Sequence, residues 1–326
     1  MPEITLVEAV RQALYEEMER DPSVVVLGED VGKHGGVFRA TDGLQKAFGE
    51  ERVIDTPLAE LGIAGVAIGA AMNGLRPVAE MQFADYIHPA FDQIVNEAAK
   101  IRYRSNGAFS CPIVVRAPFG AGVHGGLYHS QSVEALFYHV PGLKIVVPST
   151  PYDCKGLLKA AVRDDDPVLF FEHKKSYRRV KGEVPSDDYV LPIGQAEVKR
   201  QGTDLSVITY GVGVHFALEA AETVASEGIS MEVLDLRTIS PMDREAIAET
   251  VCRTNKVVVL HEDNKTGGVG AEVSAFIAEE LFEDLDGPIV RVAGADCHIP
   301  YAPSLEAVVI PNVQDVIEAV RKLAAY

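Results

Sequence analysis

Short, uninterrupted runs of aliphatic residues recur along this chain, each followed by a longer stretch with helical periodicity. Val24-Val25-Val26-Leu27, ending at Gly28-Glu29-Asp30, is the clearest of them. A strand that is apolar at every position has no solvent face, so it belongs in a parallel sheet covered on both sides. Alternation of such strands with helices predicts α/β units. In the first half, helices are expected near 6–20, 57–73, 90–104, 132–138 and 153–163, and strands near 24–27, 76–81, 111–117, 144–147 and 168–172. The pattern lapses into Gly, Pro and charge over 181–194. A cleaner repeat then follows, with strands near 205–210, 231–236, 256–261 and 289–292, and helices near 214–226, 244–252, 269–281 and 313–325. The expectation is two three-layer α/β domains with mostly parallel sheets, at 1–185 and 204–326, joined by a linker at 186–203 that leads into the second.

One predicted helix is unusual in composition. Thr56-Pro57 predicts its start, because Thr56 can accept an orphan backbone N–H and Pro57 at the first helical position loses nothing. The helix then carries Gly62, Gly65 and Gly69. Each glycine costs about 1 kcal/mol relative to alanine in a helix. Close backbone approach by another helix or by a ligand is the expected compensation.

Charge narrows the range of partners. The 326 residues hold 30 Lys plus Arg against 48 Asp plus Glu, a formal net charge of -18. Such an excess repels phosphate backbones and anionic membrane surfaces, and no basic aromatic tract offsets it. The basic cluster Lys174, Lys175, Arg178, Arg179 and Lys181 is expected to be a solvated loop, or else a docking patch for an acidic partner. The N-terminus lacks the basic, apolar and small-residue succession of a secretory signal. The apolar run from Leu61 to Met72 is shorter than the roughly 20 residues a bilayer span needs. Cys111, Cys154, Cys252 and Cys297 lie too far apart for a zinc or redox motif, which suits free thiols in a reducing cytoplasm.

Three chemical signals stand out. Gly211-Val212-Gly213 follows a strand and precedes a helix, but Phe216 occupies the place of the third glycine of a dinucleotide fingerprint. A tight turn that starts the helix is the expected reading. Glu60 falls in the first turn of the glycine-rich helix, among Leu58, Ala59, Leu61 and Ile63. It serves either the helix terminus alone or a proton-exchanging bond to a heterocycle. His124 and His129 flank Gly125-Gly126 in a loop just past a strand, an end of a parallel sheet that commonly lines sites. Metal ligation by the pair lacks a third ligand placed by sequence, and an acid–base or substrate-orienting role for one of them is the alternative.

Several segments, in order and spacing, resemble the β subunits of the first, decarboxylating component of 2-oxo acid dehydrogenase complexes. They include Val26-Leu-Gly-Glu-Asp30, Asp55-Thr-Pro-Leu-Ala-Glu60, Phe83-Ala-Asp-Tyr86, Phe91-Asp-Gln-Ile-Val-Asn-Glu-Ala-Ala99 and Ile101-Arg-Tyr-Arg-Ser105. Gly126-Leu-Tyr-His-Ser-Gln131, His139-Val-Pro-Gly142, Lys155-Gly-Leu-Leu158, Thr266-Gly-Gly-Val-Gly-Ala-Glu272 and Pro300-Tyr301 extend the likeness over essentially the whole chain. The resemblance implies a transketolase-like fold, with a pyrimidine-binding domain first and a C-terminal domain second. It implies thiamine diphosphate as cofactor, with the diphosphate and Mg²⁺ held by a separate α subunit in an α2β2 heterotetramer. No Gly-Asp-Gly segment followed at the proper distance by Asn, the family's Mg-diphosphate pattern, occurs here.

Residue by residue, the resemblance places the family's carboxylate partner of the pyrimidine N1′ on Glu60. It places the aromatic beside the aminopyrimidine on Tyr86, pocket lining on Met81 and Gln82, and the active-site histidine on His129. His129 would orient or protonate the lipoyl group of the acyltransferase component, a task suited to the side chain that titrates nearest neutrality. A potassium site of mostly backbone oxygens would fall on Cys111, Ile113, Val114, Ala161, Asp164 and Asp166. Gln82-Phe83-Ala84-Asp85-Tyr86 and Leu127-Tyr128-His129 look most like the branched-chain type, with pyruvate and acetoin as alternative substrates. A noncatalytic binding protein of the same fold would be expected to lack Glu60.

Overall fold

The computed structural model describes residues 2–326. Two compact units divide the chain: Met1–Phe119 with Leu136–Ile193, and Gly120–Ala135 with Gly194–Tyr326. The second unit therefore includes Gly120–Ala135, an excursion out of the first stretch of chain that a contiguous division at 185 does not contain.

The first unit is built on six parallel strands: β1 (Val24–Gly28), β2 (Val53–Asp55), β3 (Arg76–Glu80), β4 (Val114–Phe119), β5 (Lys144–Val146) and β6 (Val168–His173). They lie in the order β5-β6-β4-β3-β1-β2. β1, β4 and β6 are buried at every position, although Arg116 interrupts β4 and Glu172-His173 end β6. On one face, helix α1 (Leu6–Arg20) packs through Leu6, Val10, Leu14 and Met18 onto the sheet and onto helix α3 (Pro151–Arg163), whose Leu157 and Leu158 join the same core. α1 starts at a capping box in which Thr5 accepts from Glu8 N–H while the Glu8 carboxylate accepts from Thr5 N–H. The sheet interior holds one buried polar network. Arg116 donates to Glu80 at 2.6 Å and to both carboxylate oxygens of Glu172 at 2.6 and 2.8 Å, and the Tyr177 hydroxyl donates to Glu172 at 2.6 Å.

Two helices differ from expectation. Helix α2 runs Glu60–Met72, and its N-cap is Ala59 with no side-chain cap. Thr56 N–H is held by the Gly28 carbonyl at 2.9 Å, so Thr56 still belongs to the sheet end and its hydroxyl comes too early to cap the helix. The stretch expected as one long helix over 90–104 is broken into a π turn at Gln93–Glu97, a 3-10 turn at Ala98–Lys100 and a short α-helix at Ile101–Arg104. The irregular turn is where Ala99 meets Gly142: a Cβ on Gly142 would lie 2.2 Å from the Ala99 carbonyl oxygen. No propensity scale sees such a contact.

The second unit has five strands: β7 (Glu197–Arg200), β8 (Leu205–Thr209), β9 (Met231–Asp235), β10 (Val257–Asn264) and β11 (Val290–Gly294). Their order is β11-β10-β8-β9-β7, parallel except for β7, which runs antiparallel to β9 at the edge. Helices α4 (Val212–Ala225), α5 (Arg244–Thr254), α6 (Val269–Glu280), α7 (Pro303–Val309) and α8 (Val313–Ala324) complete it. α8 buries Val316, Ile317, Val320 and Leu323 against α4 and the sheet. Gly211 takes φ +56 at the N-cap of α4, and a Cβ on Gly213 would meet Thr209 Oγ1 at 2.2 Å. Both glycines are thus used by the strand-to-helix turn itself. α7 and the β7 edge had no clear signal in the sequence.

Candidate functional site

Open parallel sheets hold ligands outside the carboxyl ends of their strands, at the point where strand order reverses. In the first unit that point lies between β1 and β3, where Gly28 pairs with Glu80. The residues that follow immediately are Glu29 and Asp30 after β1, and Met81 and Gln82 after β3. The Gln82 side-chain amide reaches the Glu29 carbonyl and the Asp30 carboxylate, each at 3.4 Å. Glu60, the first residue of α2, sits past the end of the neighbouring strand β2 and is only 9% exposed. Its charge, after burial itself, helps to push the Glu29 carboxyl above its ordinary range, and Asp30 adds to the same effect.

Three groups here have no partner within the chain. No hydrogen bond is made to the Glu60 carboxylate among the described residues, and Glu29 Oε1 and the Thr56 hydroxyl are buried without one. The buried Glu29 oxygen and Thr56 hydroxyl are costly to leave unpaired unless a ligand or water meets them. The aromatic wall is present as well. Tyr86 meets the Phe83 ring edge-on at 5.7 Å, Phe83 meets Phe38 at 5.3 Å, and Met81 is fully buried. An acid, aromatic rings and a glutamine amide are residue kinds that could hold a heteroaromatic ring.

Two residues at this end of the sheet escape sequence reasoning. Glu29 stands out only as part of a motif, although an acid directly after a fully buried strand points to a sheet-end site. Lys174, expected in a solvated basic loop, is instead buried. Its ammonium lies 3.3 Å from the Pro118 carbonyl, 3.9 Å from Asp85 and 5.5 Å from the centre of the Phe83 ring. A carboxylate, a carbonyl and an aromatic face together offset the cost of burying it.

The expected potassium positions do come together in the first unit. Cys111 N–H donates to the Asp165 carbonyl at 3.2 Å, and Val168 N–H to Ile113 at 3.0 Å, which sets 111–114 beside the end of α3. Cations of the chain already occupy the carboxylates there. Lys144 Nζ lies 2.6 and 2.8 Å from the two Asp164 oxygens, and Arg102 pairs with Asp166. Arg76 takes the Val162 and Asp164 carbonyls at 3.1 and 2.9 Å.

In the second unit, the loop carrying His124 and His129 is closed at its base by Gly120 N–H donating to the Gln131 carbonyl at 2.9 Å. His129 N–H turns back toward the Gly126 carbonyl at 3.5 Å, and the Gln131 side chain holds the Leu127 carbonyl at 2.9 Å. Gly126 adopts φ +65, and a Cβ there would lie 2.5 Å from the Tyr301 ring, so glycine is needed on both counts. Beside the loop is a cavity of about 420 Å³, lined among others by Gln131, Ser132, Glu262, Asp263, Asp296 and His298. Burial pushes Asp263 up to about 6. Burial, and then the Asp263 charge, raise Glu134, which accepts from the Tyr210 hydroxyl at 2.9 Å. Among the described residues, no group of three or more His, Cys, Asp or Glu side chains is arranged to hold a metal ion. No helix among them is long and apolar enough to cross a membrane.

Comparison with known proteins gives consistent results. Residues 2–180 match the family described as transketolase, pyrimidine binding domain, and residues 194–316 match transketolase, C-terminal domain. The chain is similar to 2-oxoisovalerate dehydrogenase subunit beta of Bacillus subtilis (strain 168), with 63% identity over 327 residues covering 100% of both chains. It is 48% identical over 326 residues to pyruvate dehydrogenase E1 component subunit beta of the same strain, again covering 100% of both. Among solved structures it resembles a split gene transketolase described as an inactive beta4 tetramer. That match has a TM-score of 0.81 at 27% identity and covers 99% of this chain and 98% of that one.

Proposed function

Because the chain belongs to the transketolase-like, thiamine-diphosphate-dependent family, and within it to the β subunits of 2-oxo acid dehydrogenases, we propose that it is the β subunit of a branched-chain 2-oxo acid dehydrogenase: 3-methyl-2-oxobutanoate dehydrogenase (2-methylpropanoyl-transferring), active with its α subunit. The carrying observation is the full-length identity to the 2-oxoisovalerate β subunit, well above that to the pyruvate counterpart. In this reading 1–185 is the pyrimidine-binding domain and 204–326 the C-terminal domain.

When bound, thiamine diphosphate supplies the carbon nucleophile and the electron sink for decarboxylation. The chain's own residues prepare the pyrimidine end. Glu60 accepts from the ring N1′ and holds the proton there, and its place as the first residue of α2, 9% exposed and close enough to act on the Glu29 carboxyl, supports this role. Burial and the Glu60 charge push the Glu29 carboxyl above its ordinary range, which makes it a second acid beside Glu60. Tyr86, braced by Phe83, packs on the ring, while Met81 and Gln82 close the pocket beneath. His129 serves the later transfer of the acyl group to the lipoyl arm of the acyltransferase component.

The diphosphate and Mg²⁺ fall to the α subunit. A potassium ion at 111–114 and 161–166 would rest on backbone oxygens, since Lys144 and Arg102 already neutralise Asp164 and Asp166. A cytoplasmic setting suits four unpaired thiols. The test is competition between the 2-oxo acids of valine, leucine and isoleucine and pyruvate on the reconstituted α–β enzyme. Each methylene in an apolar pocket discriminates by about 1–3 kcal/mol, so the branched acids should have the larger kcat/KM by one order of magnitude or more. A preference for pyruvate overturns the substrate and leaves the family untouched.

A further inference from the structure

Two buried carboxylates of the second unit grip neighbouring N–H groups where the histidine loop begins, and we propose that Glu262 and Glu306 are positioning residues that fix His129 for acyl transfer. The inference rests on the reading of His129 given above. Gly120–Gln131 is a 12-residue excursion with only a short 3-10 turn at Gly126–Tyr128. A loop of this composition, holding glycine at 120, 122, 125 and 126, does not hold one shape unaided.

Glu262, near the end of β10, takes the base. One oxygen, Oε1, accepts from Ala121 N–H at 2.7 Å and from the Ser132 hydroxyl at 3.1 Å. These two donors stand on opposite sides of the Gly120–Gln131 closure, so one carboxylate staples both limbs. Glu306, in α7, takes the outgoing limb. Its Oε1 accepts from Gly122 N–H at 2.9 Å, and its Oε2 bonds His124 Nδ1. Glu306 is 2% exposed and Glu262 8%, whereas the His124 side chain is half exposed. The anchors are therefore the acids, and the loop is what they hold.

The constraint passes on to His129 through the glycines. Gly126 is pressed on Tyr301, which lies just before α7, and a Cβ on Gly125 would fall 2.5 Å from His129 Cβ. Movement of the 122–126 limb therefore carries the His129 backbone with it. Bonds from N–H groups to ionised carboxylates are roughly twice as strong as neutral ones, and their geometry is set before any ligand arrives. A displacement of about 1 Å at a reacting group can cost about 10²-fold in rate.

The experiment uses the reconstituted enzyme with Glu306→Ala, Glu306→Gln, His129→Ala and the double variant Glu306→Ala/His129→Ala. Two activities are read: decarboxylation with an artificial electron-accepting dye, and acylation of a free lipoyl domain. Glu306→Ala should lower lipoyl acylation by about 10²-fold. It should change dye-linked decarboxylation no more than His129→Ala does. In Glu306→Gln the amide oxygen can still accept from Gly122 N–H, so that variant should recover most of the loss. The double variant should be no worse than His129→Ala, because both changes act through one group. Equal losses in both activities, or multiplied losses in the double variant, mean a general structural role and overturn the proposal.

Amide hydrogen exchange over 120–131 separates the two layers of the argument. Exchange should quicken in Glu306→Ala and return to normal in Glu306→Gln; unchanged exchange in Glu306→Ala refutes the clamp. If exchange quickens but His129→Ala acylates lipoyl at the unmodified rate, the clamp stands as loop anchoring. In that case the assignment of His129, and with it the positioning role in transfer, is overturned.

Discussion

Glu60 in the first unit and Asp263 in the second are acids placed for different ends. Glu60 lies in the first turn of α2, where the helix dipole favours its charge, and has no donor of its own in the chain. Glu60→Gln keeps the shape and removes the ability to take up and return a proton. Exchange of the cofactor C2 proton for deuterium, followed by quenched-flow NMR on the assembled enzyme, should slow by about 10²–10⁴-fold. Exchange at the unmodified rate would reduce Glu60 to a helix-end carboxylate. Asp263 is raised by burial from an ordinary 3.8 to about 6. The folded chain therefore binds this proton more tightly than the unfolded chain does. Its contribution to stability is whole below about pH 4 and is lost as the pH rises through about 6. Asp263→Asn, whose side-chain oxygen can still accept from Asn264 N–H, should flatten that decline and raise the melting temperature at pH 7–8. Urea melts of both proteins across pH 4 to 8 decide the matter, and parallel curves would sink the assignment.

At the scale of elements, α2 is the informative case. Its inner face is ordinary, with Ile63, Ala64, Ala67, Ile68 and Ala71 buried. Its outer face leaves Leu61 53% and Val66 64% exposed, and a Cβ on Gly69 would meet nothing within 4 Å. Gly62 and Gly65 have neighbours at ordinary contact distance, but no compensation for Gly69 is supplied within the unit, which leaves a ligand or a partner chain as its source. Gly69→Ala should stabilise the isolated chain by up to about 1 kcal/mol, from helix propensity alone. The same substitution should weaken assembly with the α subunit, read as a higher concentration for half-association. Assembly unaffected by Gly69→Ala would mean that this face meets no close neighbour. The glycines and the place of Glu60 in the first turn were legible in the sequence, whereas the Thr56-Pro57 signal put the helix start too early. The late start of α2 was not legible, because it depends on Thr56 being held by Gly28 across the sheet end.

For the whole molecule, the proposed pyrimidine end in the first unit consists of a carboxylate, aromatic rings and a glutamine. A cofactor with a charged diphosphate needs cationic or metal partners from elsewhere. An α2β2 heterotetramer is the expected working form. Light scattering of the mixed α and β chains should give a four-chain mass, with decarboxylation appearing only in the mixture. Full turnover by the β chain alone would refute this division of labour.

Periodicity alone determined most of the architecture. Short apolar runs such as Val24-Val25-Val26-Leu27, alternating with helical periodicity, gave the α/β class and most of the parallel strands, whereas Val53–Asp55 and Glu197–Arg200 carry no such run and were not expected. The sequence also marked Glu60 and the loop of His124 and His129, because both sit where strands end. Tertiary structure alone decided the rest. Glu262 and Glu306 reach the loop from 130 or more positions away in sequence, and Lys174 is buried by Asp85 and Phe83 from a distant segment. The close approach of Gly142 to Ala99, beside the irregular turns of 93–100, likewise joins segments far apart in sequence. Hydrogen bonds and close contacts between remote segments have no period, and they come into being only when the sheet brings the segments together.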